Sequence, residues 1–393
     1  MTSNSAYIVS AKRSVMGRYL GGLSKLTAAE LGGQVTKSLM AAAKVSGDAI
    51  DEVFIGQVIQ AGCGQNPARQ VALAAGVNDR ISCTTVNKVC GSGLQAVMFA
   101  DVTIRAGDAD VVVAGGIESL SQCPFLIREM RRGQKFGDTK LIDAMQADGL
   151  INVYDGDIMG CIAEETAEKA GISREDQDAF AARSHQRAAK AEAAGLFAAE
   201  RVAIEIRPGK PSIDADETIR PEATAESLAG LPPVFKQGGT VTAANASSLA
   251  DGAATVLVAS EAGLRKCGSP PMARIVAQAT SGGPPRDLFF APIQAVRMVC
   301  EKAGWNLADV ELFELNEAFA AQSLADVRAL ELDEAKVNVN GGAIALGHPL
   351  GASGARVLTT LVHAMQQRGA RKGIAGMCLG GGNAVAMAVE NCK

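Results

Sequence analysis

Short runs of β-branched residues alternate with segments of helical periodicity, and this alternation is the strongest constraint on how the 393-residue chain folds. The run Tyr7–Ser10 comes first, and Val53–Ile59 follows it. Between them, apolar residues recur one helical turn apart at Leu31, Val35 and Leu39. Strands that alternate with amphipathic helices build sheets covered by helices on both faces. The sequence therefore predicts an α/β fold.

The same alternation of strands and helices continues towards residue 120. A strand is predicted at Ser82–Val86, a helix at Gly91–Arg105, and a strand at Val111–Ala114 that ends in Gly115-Gly116. A strand that is apolar on both faces belongs in the middle of a covered sheet. After a resumed strand at 253–260, a second α/β run is predicted over 271–393, with these elements: strands at Ala273–Ala277, Val310–Leu315 and Val337–Asn340, helices from Pro292, Asn316 and Ala352, and two closing strands.

The alternation of strands and helices stops between about residues 121 and 249, where charge clusters, a long helix after Ser173 and proline-rich turns replace it. We interpret this stretch as an inserted loop domain that covers a site. The predicted organisation is an N-terminal half at 1–120 with 250–270, a loop domain at 121–249 and a C-terminal half at 271–393. The two α/β runs also share a faint internal similarity, which predicts a duplicated half with a site at the junction.

Composition excludes several classes of protein. A formal charge of −4 and a pI of about 5.6 exclude a generally basic nucleic-acid-binding protein. Nine cysteines without a C-x-x-C pair indicate neither a zinc site nor a disulfide framework. The N-terminal residues lack a signal-peptide pattern, and no 18-residue apolar stretch occurs. We therefore expect a cytoplasmic protein with reduced thiols, no metal and no membrane partner.

Only three histidines are available for general base catalysis near neutral pH, namely His185, His348 and His363. His185 and His363 lie in helical segments, where a surface or core-edge role is expected for each. His348 instead lies in a glycine-rich turn, at 341–354, directly before a predicted helix. Backbone amides at such a turn approach a ligand closely, so His348 is the candidate base.

Cys90 and Cys378 are the candidate reactive cysteines. Cys90 lies where a strand meets the start of a helix, a position expected to lower the pKa of its thiol. Cys378 ends an apolar strand and opens a triple-glycine turn. For the other cysteines ordinary burial is the expected role. The segment 91–96 also matches the dinucleotide pattern G-x-G-x-x-A, but a nicotinamide enzyme would leave both cysteines and His348 without a function.

Six motifs in family order resemble the thiolase family over nearly the whole chain. They are Val-Cys-Gly-Ser-Gly-Leu-Gln-Ala around Cys90, Gly-Gly-Ile-Glu-Ser at 115–119, Asn-Ala-Ser at 245–247, Asn-Glu-Ala-Phe-Ala at 316–320, the glycine-rich segment 341–356, and Cys-Leu-Gly-Gly-Gly at 378–382. The resemblance implies a five-layered αβαβα arrangement of two similar halves plus a loop domain. It also implies a homodimer or homotetramer that acts in fatty acid metabolism.

The resemblance implies a role for each catalytic position. Cys90 is the nucleophile acylated by a coenzyme A thioester, His348 takes its proton, and Cys378 is the acid and base for the second substrate. One oxyanion is assigned to His348 with a water held by Asn316, and the other to the backbone N–H groups of Cys90 and Gly380. The implied reaction is the condensation of two acetyl-CoA to acetoacetyl-CoA and its reverse, with no cofactor besides the substrate.

Coenzyme A contacts are implied position by position. Ser247 matches a residue near the pantetheine amide, and Arg220 and Ser227 match positions near the nucleotide. The wall around the pantetheine and acyl group is implied at Leu150, Met159, Phe235, Ala318 and Phe319. The basic cluster at 128–135 could add charge for the phosphates, but a solvated face or a subunit contact is an equal alternative.

The chain departs from the family pattern at Ile158, at Leu288–Ala291 and at Asn383-Ala384. Bulky side chains at 288–290 predict a crowded acyl pocket and hence a short acyl chain. Three alternatives stay open: a longer-chain degradative 3-ketoacyl-CoA thiolase, a ketoacyl synthase-like condensing enzyme, and a non-catalytic lipid-binding member. The second is disfavoured by Cys378, and the third by the presence of all three candidate catalytic residues.

Overall fold

The computed structural model describes residues 5–393, which form strands and helices in alternation. The strands are β1 Ala6–Ser14, β2 Gly17–Arg18, β3 Glu52–Gly56, β4 Ser82–Val86, β5 Val111–Ser119, β6 Phe125–Leu126, β7 Ile142–Asp143, β8 Arg201–Val202, β9 Ala250–Ala259, β10 Ala273–Gly282, β11 Leu312–Leu315, β12 Lys372–Leu379 and β13 Asn383–Asn391. The α-helices are α1 Ala28–Ala43, α2 Pro67–Ala75, α3 Ser92–Ala106, α4 Met159–Ala170, α5 Arg174–Ala193, α6 Ala225–Ala229, α7 Glu261–Leu264, α8 Ala291–Ala303, α9 Ala320–Ala329, α10 Ala343–Leu346 and α11 Leu350–Arg368.

The main sheet consists of two halves with the same topology. In the N-terminal half β1, β9, β5, β3 and β4 are neighbours in that order, and β10, β13, β12 and β11 follow the same order in the C-terminal half. The third and fourth strands of each half are parallel, whereas the first three are antiparallel. The halves meet where β1 and β10 pair, with Ala6 opposite Ile275 and Ile8 opposite Ala273. The predicted duplication is confirmed at the level of strand order and direction.

The strand predicted at Val337–Asn340 is wrong. Only Val337 pairs with the sheet, through a single parallel bridge to Phe313. The chain leaves the sheet at Asn338, which has a left-handed φ of 47°. Its side-chain amide accepts from the N–H of Leu315 at 2.8 Å and donates to the carbonyl of Leu315 at 2.8 Å. A side chain thus supplies the two hydrogen bonds that another strand residue would have made.

The helices form three layers around the two half-sheets. Alternate residues of β5 show the arrangement: Val111 and Val113 pack in the cluster with α1 and α2, and Val112 and Ala114 pack in the cluster with α3 and α11. The second cluster also includes the β13 face at Val385, while the opposite β13 face packs on α8. The helices α3 and α11 therefore lie between the half-sheets. This confirms the predicted five layers.

The helix predicted from Asn316 begins four residues later, at Ala320. The intervening residues are extended, because Ser247 donates its N–H to the Ala318 carbonyl at 3.0 Å and Phe319 forms a β-bridge with Ala246. Strand-like pairing with the segment before β9 therefore replaces the first helical turn. The extended stretch places Ala318 and Phe319 beside the candidate site.

The segment 121–249 is tied to the rest of the fold by a buried ion cluster. The guanidinium of Arg13 on β1 donates to Glu200 at 2.6 Å and to both oxygens of Asp216, at 2.8 and 2.9 Å. All three side chains are buried. Breaking such a cluster leaves an uncompensated buried charge, which is strongly destabilising. The domain boundaries predicted at 120 and 249 stay a prediction.

Glycines allow α3, α11 and β5 to approach within backbone contact. A Cβ on Gly93 would lie 2.7 Å from the carbonyl oxygen of Gly351, and one on Gly354 would lie 2.5 Å from the nitrogen of Leu94. A Cβ on Gly116 would overlap the same carbonyl of Gly351. Because every atom concerned is backbone, no side-chain rotation can relieve such a clash. The starts of both central helices are therefore held against each other.

We predict that Gly116→Ala destabilises the fold by about 1–3 kcal/mol, the usual cost of overpacking a core. The clash with Gly351 should also displace the start of α11 and reduce activity. The matched control is Gly230→Ala, because a Cβ added to Gly230 would meet no atom within 4 Å and the residue has an ordinary φ of −76°. Chemical denaturation of both variants measures the difference. Equal midpoints for the two variants would contradict the prediction.

Candidate active site

Cys90 lies in a sharp turn between β4 and α3. The preceding residue, Val89, has a φ of 47°, which β-branched residues rarely adopt. Asn87 Oδ1 accepts the N–H of Val89 at 3.0 Å. The hydroxyl of Ser92 accepts the N–H of Lys88 at 2.8 Å and donates to the Val89 carbonyl at 2.6 Å. These bonds hold the strained backbone of the turn that carries Cys90.

The turn packs directly on the end of β12. A Cβ on Gly91 would overlap the side chain of Leu379, which would have to shift to make room. Burial raises the pKa of Cys90 to about 11, although the backbone N–H groups of Gly380 and of Cys90 itself act in the opposite direction. The lowered pKa expected from the helix start is therefore wrong. Desolvation of the thiolate outweighs the amide donors.

His348 is fixed by one hydrogen bond from its backbone and one at its ring. Its backbone N–H donates to the Ser248 carbonyl at 2.9 Å. Its Nδ1 lies 2.6 Å from the hydroxyl of Ser353, and that hydroxyl lies 2.9 Å from the carbonyl of Pro349. A carbonyl can only accept, so we assign the single hydroxyl proton to that bond. The proton of a neutral His348 therefore lies on Nδ1, and Nε2 carries a free lone pair.

The imidazole of His348 is neutral over the physiological range. Burial, followed by the positive charge of Arg356, lowers its pKa to about 3. Arg356 is itself buried, and its Nη1 lies 3.0 Å from Glu314 Oε1. A neutral ring with an unprotonated Nε2 is the form that can accept a proton from a thiol.

Cys378 and Asn316 lie at the carboxyl ends of the parallel strands β12 and β11. The N–H of Asn316 donates to the Gly376 carbonyl at 3.0 Å. The side-chain amide of Asn316 is buried, and neither its nitrogen nor its oxygen has a partner among residues 5–393. A buried amide without partners usually binds an ordered water. Burial, with added effects of Cys90 and Asp326, raises the pKa of the Cys378 thiol well above its usual value.

The candidate residues converge on one cavity of about 230 Å³. Ten of the thirteen predicted site residues line it: Cys90, Leu150, Met159, Phe235, Ser247, Ala318, Phe319, His348, Cys378 and Gly380. Asn316 is fully buried beside the cavity rather than in its lining. Arg220 and Ser227 lie on the exposed surface and do not line the cavity. The cavity has residues from both halves and from the segment 121–249.

Aromatic rings close one side of the cavity. The ring of Phe319 packs edge-on against Phe289 at 5.3 Å and against Phe235 at 6.2 Å. Phe235 in turn fills the space that a Cβ on Gly160 would occupy. Of the bulky residues predicted to crowd the acyl pocket, Leu288 and Phe289 line the cavity, whereas Phe290 packs in another cluster. Two of these bulky residues therefore lie at the cavity, and a narrowed acyl pocket stays a prediction.

Sequence reasoning missed two residues that organise the site. Ser353 fixes the His348 tautomer, and its only signal was its place in the first turn of the helix after the histidine. The carboxylate of Glu118 accepts the N–H groups of Gly351 at 2.9 Å, Val58 at 3.1 Å and Ile59 at 3.3 Å. Burial raises the pKa of Glu118 to about 7. The motif at 115–119 contained this residue, but nothing in the sequence indicated which amides it would bind.

The expected surface or core-edge positions of His185 and His363 are wrong, because both rings are buried. His185 Nδ1 accepts the N–H of Arg220 at 3.2 Å, and His363 Nε2 lies 2.9 Å from the Ala11 carbonyl. Neither lines the cavity. Each ring therefore has a structural partner, and His348 alone of the three faces the candidate site.

The dinucleotide pattern at 91–96 has no space for a cofactor. Its glycines, Gly91 and Gly93, face Leu379 and Gly351 at close range, so they serve contacts within the protein. Within the described part of the chain, no group of three or more His, Cys, Asp or Glu is placed to hold a metal. No helix of that part combines the length and the apolar character needed to cross a membrane.

Comparisons with known proteins cover nearly the whole chain. The family model "Thiolase, N-terminal domain" matches residues 6–262, and "Thiolase, C-terminal domain" matches residues 269–391. An acetyl-CoA acetyltransferase of Allochromatium vinosum is 50% identical over 98% of each chain. Human mitochondrial 3-ketoacyl-CoA thiolase in complex with CoA superposes with a TM-score of 0.96 at 41% identity, over 99% of this chain and 98% of that one. The acetyl-CoA acetyltransferase of Bacillus anthracis also gives 0.96, at 40% identity over 99% of each chain.

We predict that ¹⁵N spectra of histidine-labelled protein at pH 7 show one neutral ring protonated on Nδ1 and two protonated on Nε2. His348 should be the first kind, because Ser353 accepts its Nδ1 proton. His185 accepts at Nδ1 and His363 donates from Nε2, so both should be the second kind. Ser353→Ala should change the His348 signal alone. An Nε2-protonated His348 in the unsubstituted protein would refute the assignment.

Proposed function

This chain belongs to the thiolase family, and we propose that Cys90, His348 and Cys378 carry out its acyl transfer. The protein is an acyl-CoA C-acyltransferase that condenses two acetyl-CoA to acetoacetyl-CoA and coenzyme A, and catalyses the reverse thiolysis. The observation that supports these roles is the convergence of the three side chains with the Gly380 amide on one cavity. It also disfavours a non-catalytic lipid-binding role.

The first half-reaction transfers an acyl group to Cys90. The Cys90 thiol gives its proton to His348 Nε2, and the sulfur attacks the thioester carbonyl carbon. The bond from that carbon to the coenzyme sulfur breaks, and the leaving thiolate takes the proton back from His348. Neither group ionises alone at neutral pH, because burial raises the pKa of Cys90 to about 11 and lowers that of His348 to about 3. A thiolate and an imidazolium formed together attract each other, which offsets the desolvation of each.

Two sets of donors are proposed to stabilise the oxyanions. The backbone N–H groups of Cys90 and Gly380 already act on the Cys90 sulfur, so a carbonyl oxygen of the acyl group bound there lies near them. The unpartnered amide of Asn316 supports a bound water, which would act with His348 on the second substrate's oxygen. Donors that are fixed before the reaction stabilise developing charge without reorganisation.

The second half-reaction forms the carbon–carbon bond. Cys378 passes its thiol proton to His348 and, as a thiolate, takes a proton from the methyl carbon of a second acetyl-CoA. That carbon attacks the carbonyl carbon of acetyl-Cys90. The carbon–sulfur bond to Cys90 then breaks, and the Cys90 thiolate takes the proton that His348 holds. In the resting site burial keeps Cys378 as a thiol. A thiol of raised pKa is a weak acid but, once deprotonated, a strong base, which is what removal of a proton from carbon requires.

Coenzyme A binding is proposed for the remaining predicted residues. Ser247, Leu150, Met159, Phe235, Ala318 and Phe319 line the cavity and are proposed to contact the pantetheine and acyl group. Arg220 and Ser227 are exposed, and we assign them to the nucleotide end of the substrate, where charge for the phosphates is needed. The steps above use only thiols, an imidazole and amide donors. We therefore propose that coenzyme A acts as substrate and that no cofactor is required.

Self-association is proposed from exposed apolar surface. β4 pairs only with β3 and so leaves an open sheet edge, a feature that proteins normally cover. Phe99 and Val102 on the adjoining α3 are 41% and 54% exposed, although they are large and apolar. A second exposed apolar group surrounds β6 and β7 and includes Phe136. We assign the first surface to the interface of a homodimer and the second to the further interface of a homotetramer. Sedimentation velocity can distinguish a dimer from a tetramer.

Location and pathway follow from the same proposal. All nine cysteines are free thiols in the structure, which supports a reducing compartment such as the cytoplasm. A reaction that joins or cleaves two-carbon units on coenzyme A supports a place in fatty acid metabolism.

We predict that brief exposure to acetyl-CoA adds one acetyl group, on the peptide that contains Cys90. His348→Ala should reduce the rate of this acylation by a factor of about 10²–10⁴, the usual contribution of a general base. Cys378→Ala should leave acylation in place but abolish condensation. His363→Ala is the matched control, since that ring lies outside the cavity. Intact-mass and peptide mass spectrometry give the readout, and an adduct on Cys378 with Cys90 unmodified would overturn the assignment.

We predict that kcat/KM for acetoacetyl-CoA exceeds that for a 3-oxo thioester of ten or more carbons by at least about tenfold, because each misfit methylene costs about 1–3 kcal/mol. Phe289→Ala should lower this ratio, since Phe289 lines the cavity. Phe290→Ala is the control, because Phe290 packs elsewhere. A ratio that favours the long chain would reassign the enzyme as a degradative 3-ketoacyl-CoA thiolase.

A further inference from the structure

Two segments that each supply part of the wall of the acyl cavity meet at a seam of charged residues. The first is the turn Ile151–Ile158, which lies between the cavity residues Leu150 and Met159. The second is the 3-10 turn Pro285–Phe290, which contributes Leu288 and Phe289 to the cavity. A change in the spacing of these two turns therefore changes the width of the cavity.

One arginine forms ion pairs between the two segments. Nη1 of Arg286 in the 3-10 turn lies 2.8 Å from Asp155 Oδ2 and 2.6 Å from Asp157 Oδ2. Its Nε lies 3.0 Å from Glu165 Oε2, and its Nη2 contacts the other oxygen of that carboxylate. Asp155 and Asp157 lie in the first turn, and Glu165 lies in the helix α4 that follows this turn. Only a planar guanidinium with five donors can bind three carboxylates in this way.

The turn that carries the carboxylates is itself rigid. Asn152 donates its N–H to the Asp157 carbonyl at 2.8 Å and its amide to Asp155 at 2.7 Å. Asp157 donates its N–H to Asp155 Oδ1 at 3.0 Å. The two carboxylates are therefore presented at fixed positions. The hydrogen bonds from Arg286 lower the pKa of Asp155 and of Glu165, which keeps both ionised at neutral pH.

We propose that Arg286 is a positioning residue that holds the Ile151–Ile158 turn against the Pro285–Phe290 turn and thereby sets the acyl-chain limit of the enzyme. This inference rests on the proposed acyl transfer. The guanidinium touches no cavity atom; it acts through Leu288 and Phe289, two and three residues along the chain. Without it, three carboxylates on one wall lose their counterion and repel one another, so the turn moves outward and the cavity widens.

The seam provides a matched control. Lys169 on α4 pairs with Asp287 at 2.7 Å, beside Arg286 but with the charges reversed between the walls. Its two side chains are 48% and 41% exposed, and a single exposed pair contributes little. Arg286, which is 35% exposed, belongs to a network of four charged groups instead. Lys169→Gln therefore removes a charge from the same seam and leaves the ion pairs of Arg286 in place.

The test is the ratio of kcat/KM for acetoacetyl-CoA to that for a ten-carbon 3-oxo thioester. Arg286→Gln should lower this ratio by about tenfold, as an enlarged pocket accepts extra methylenes, whereas Lys169→Gln should leave it within about twofold. Arg286→Lys should give an intermediate ratio, because lysine keeps the positive charge but lacks the planar set of donors of the guanidinium. One molar salt should lower the ratio of the unsubstituted enzyme and not that of Arg286→Gln. Any general effect of salt on coenzyme binding cancels in the ratio.

An unchanged ratio in a folded Arg286→Gln variant, or an equal change in Lys169→Gln, would overturn the inference. If Arg286→Gln does not fold, the double variant Asp155→Asn, Asp157→Asn replaces it, since it releases the turn while Glu165 still pairs with the arginine. That variant should lower the ratio as well, and an unchanged ratio would again overturn the inference. Failure of the unsubstituted enzyme to turn over either thioester would instead count against the proposed function.

Discussion

The close contact between the starts of α3 and α11 is the constraint on which the rest of the site depends. Cys90 precedes α3 by two residues, and His348 precedes α11 by two. Gly93 and Gly354 let the two helices meet with backbone atoms in contact. A methyl group on either glycine would move the turns that carry Cys90 and His348 apart. The abundance of glycine, with 43 residues in the chain, therefore serves geometry at this junction as well as turns.

Burial favours the neutral forms of the groups at this junction. The pKa of Cys90 is raised and that of His348 is lowered, each chiefly by loss of solvent. A separate thiolate or imidazolium would be unstable there, but a proton moved between them produces a pair of opposite charges. Charge therefore forms only where donors are already placed, at the amides of Cys90 and Gly380. The low-dielectric cavity disfavours the resting ions and strengthens the reacting pair.

Much of this could be predicted from the sequence, and the failures have physical causes. Apolar periodicity locates the covered sheet and most helices, because core-facing patterns follow from local geometry. The motifs around Cys90 and His348 indicate which side chains carry the chemistry. The strand predicted at 337–340 is wrong because a side-chain amide, that of Asn338, replaces backbone pairing, which no hydropathy pattern records. The direction predicted for the Cys90 pKa is wrong because helix starts are visible in sequence and desolvation is not.

The duplicated topology explains why four positions, and not two, meet at the junction. Each half supplies the residue two positions before its central helix, Cys90 in one and His348 in the other. Each also supplies the second-last residue of its central strand, Glu118 on β5 and Cys378 on β12. Three of these equivalent positions carry groups suited to the chemistry. The fourth, Glu118, accepts the N–H of Gly351 at the start of α11 and so fixes the helix that His348 precedes. With the proposed roles, one half uses its strand end for chemistry, and the other uses the equivalent position to hold the helices together.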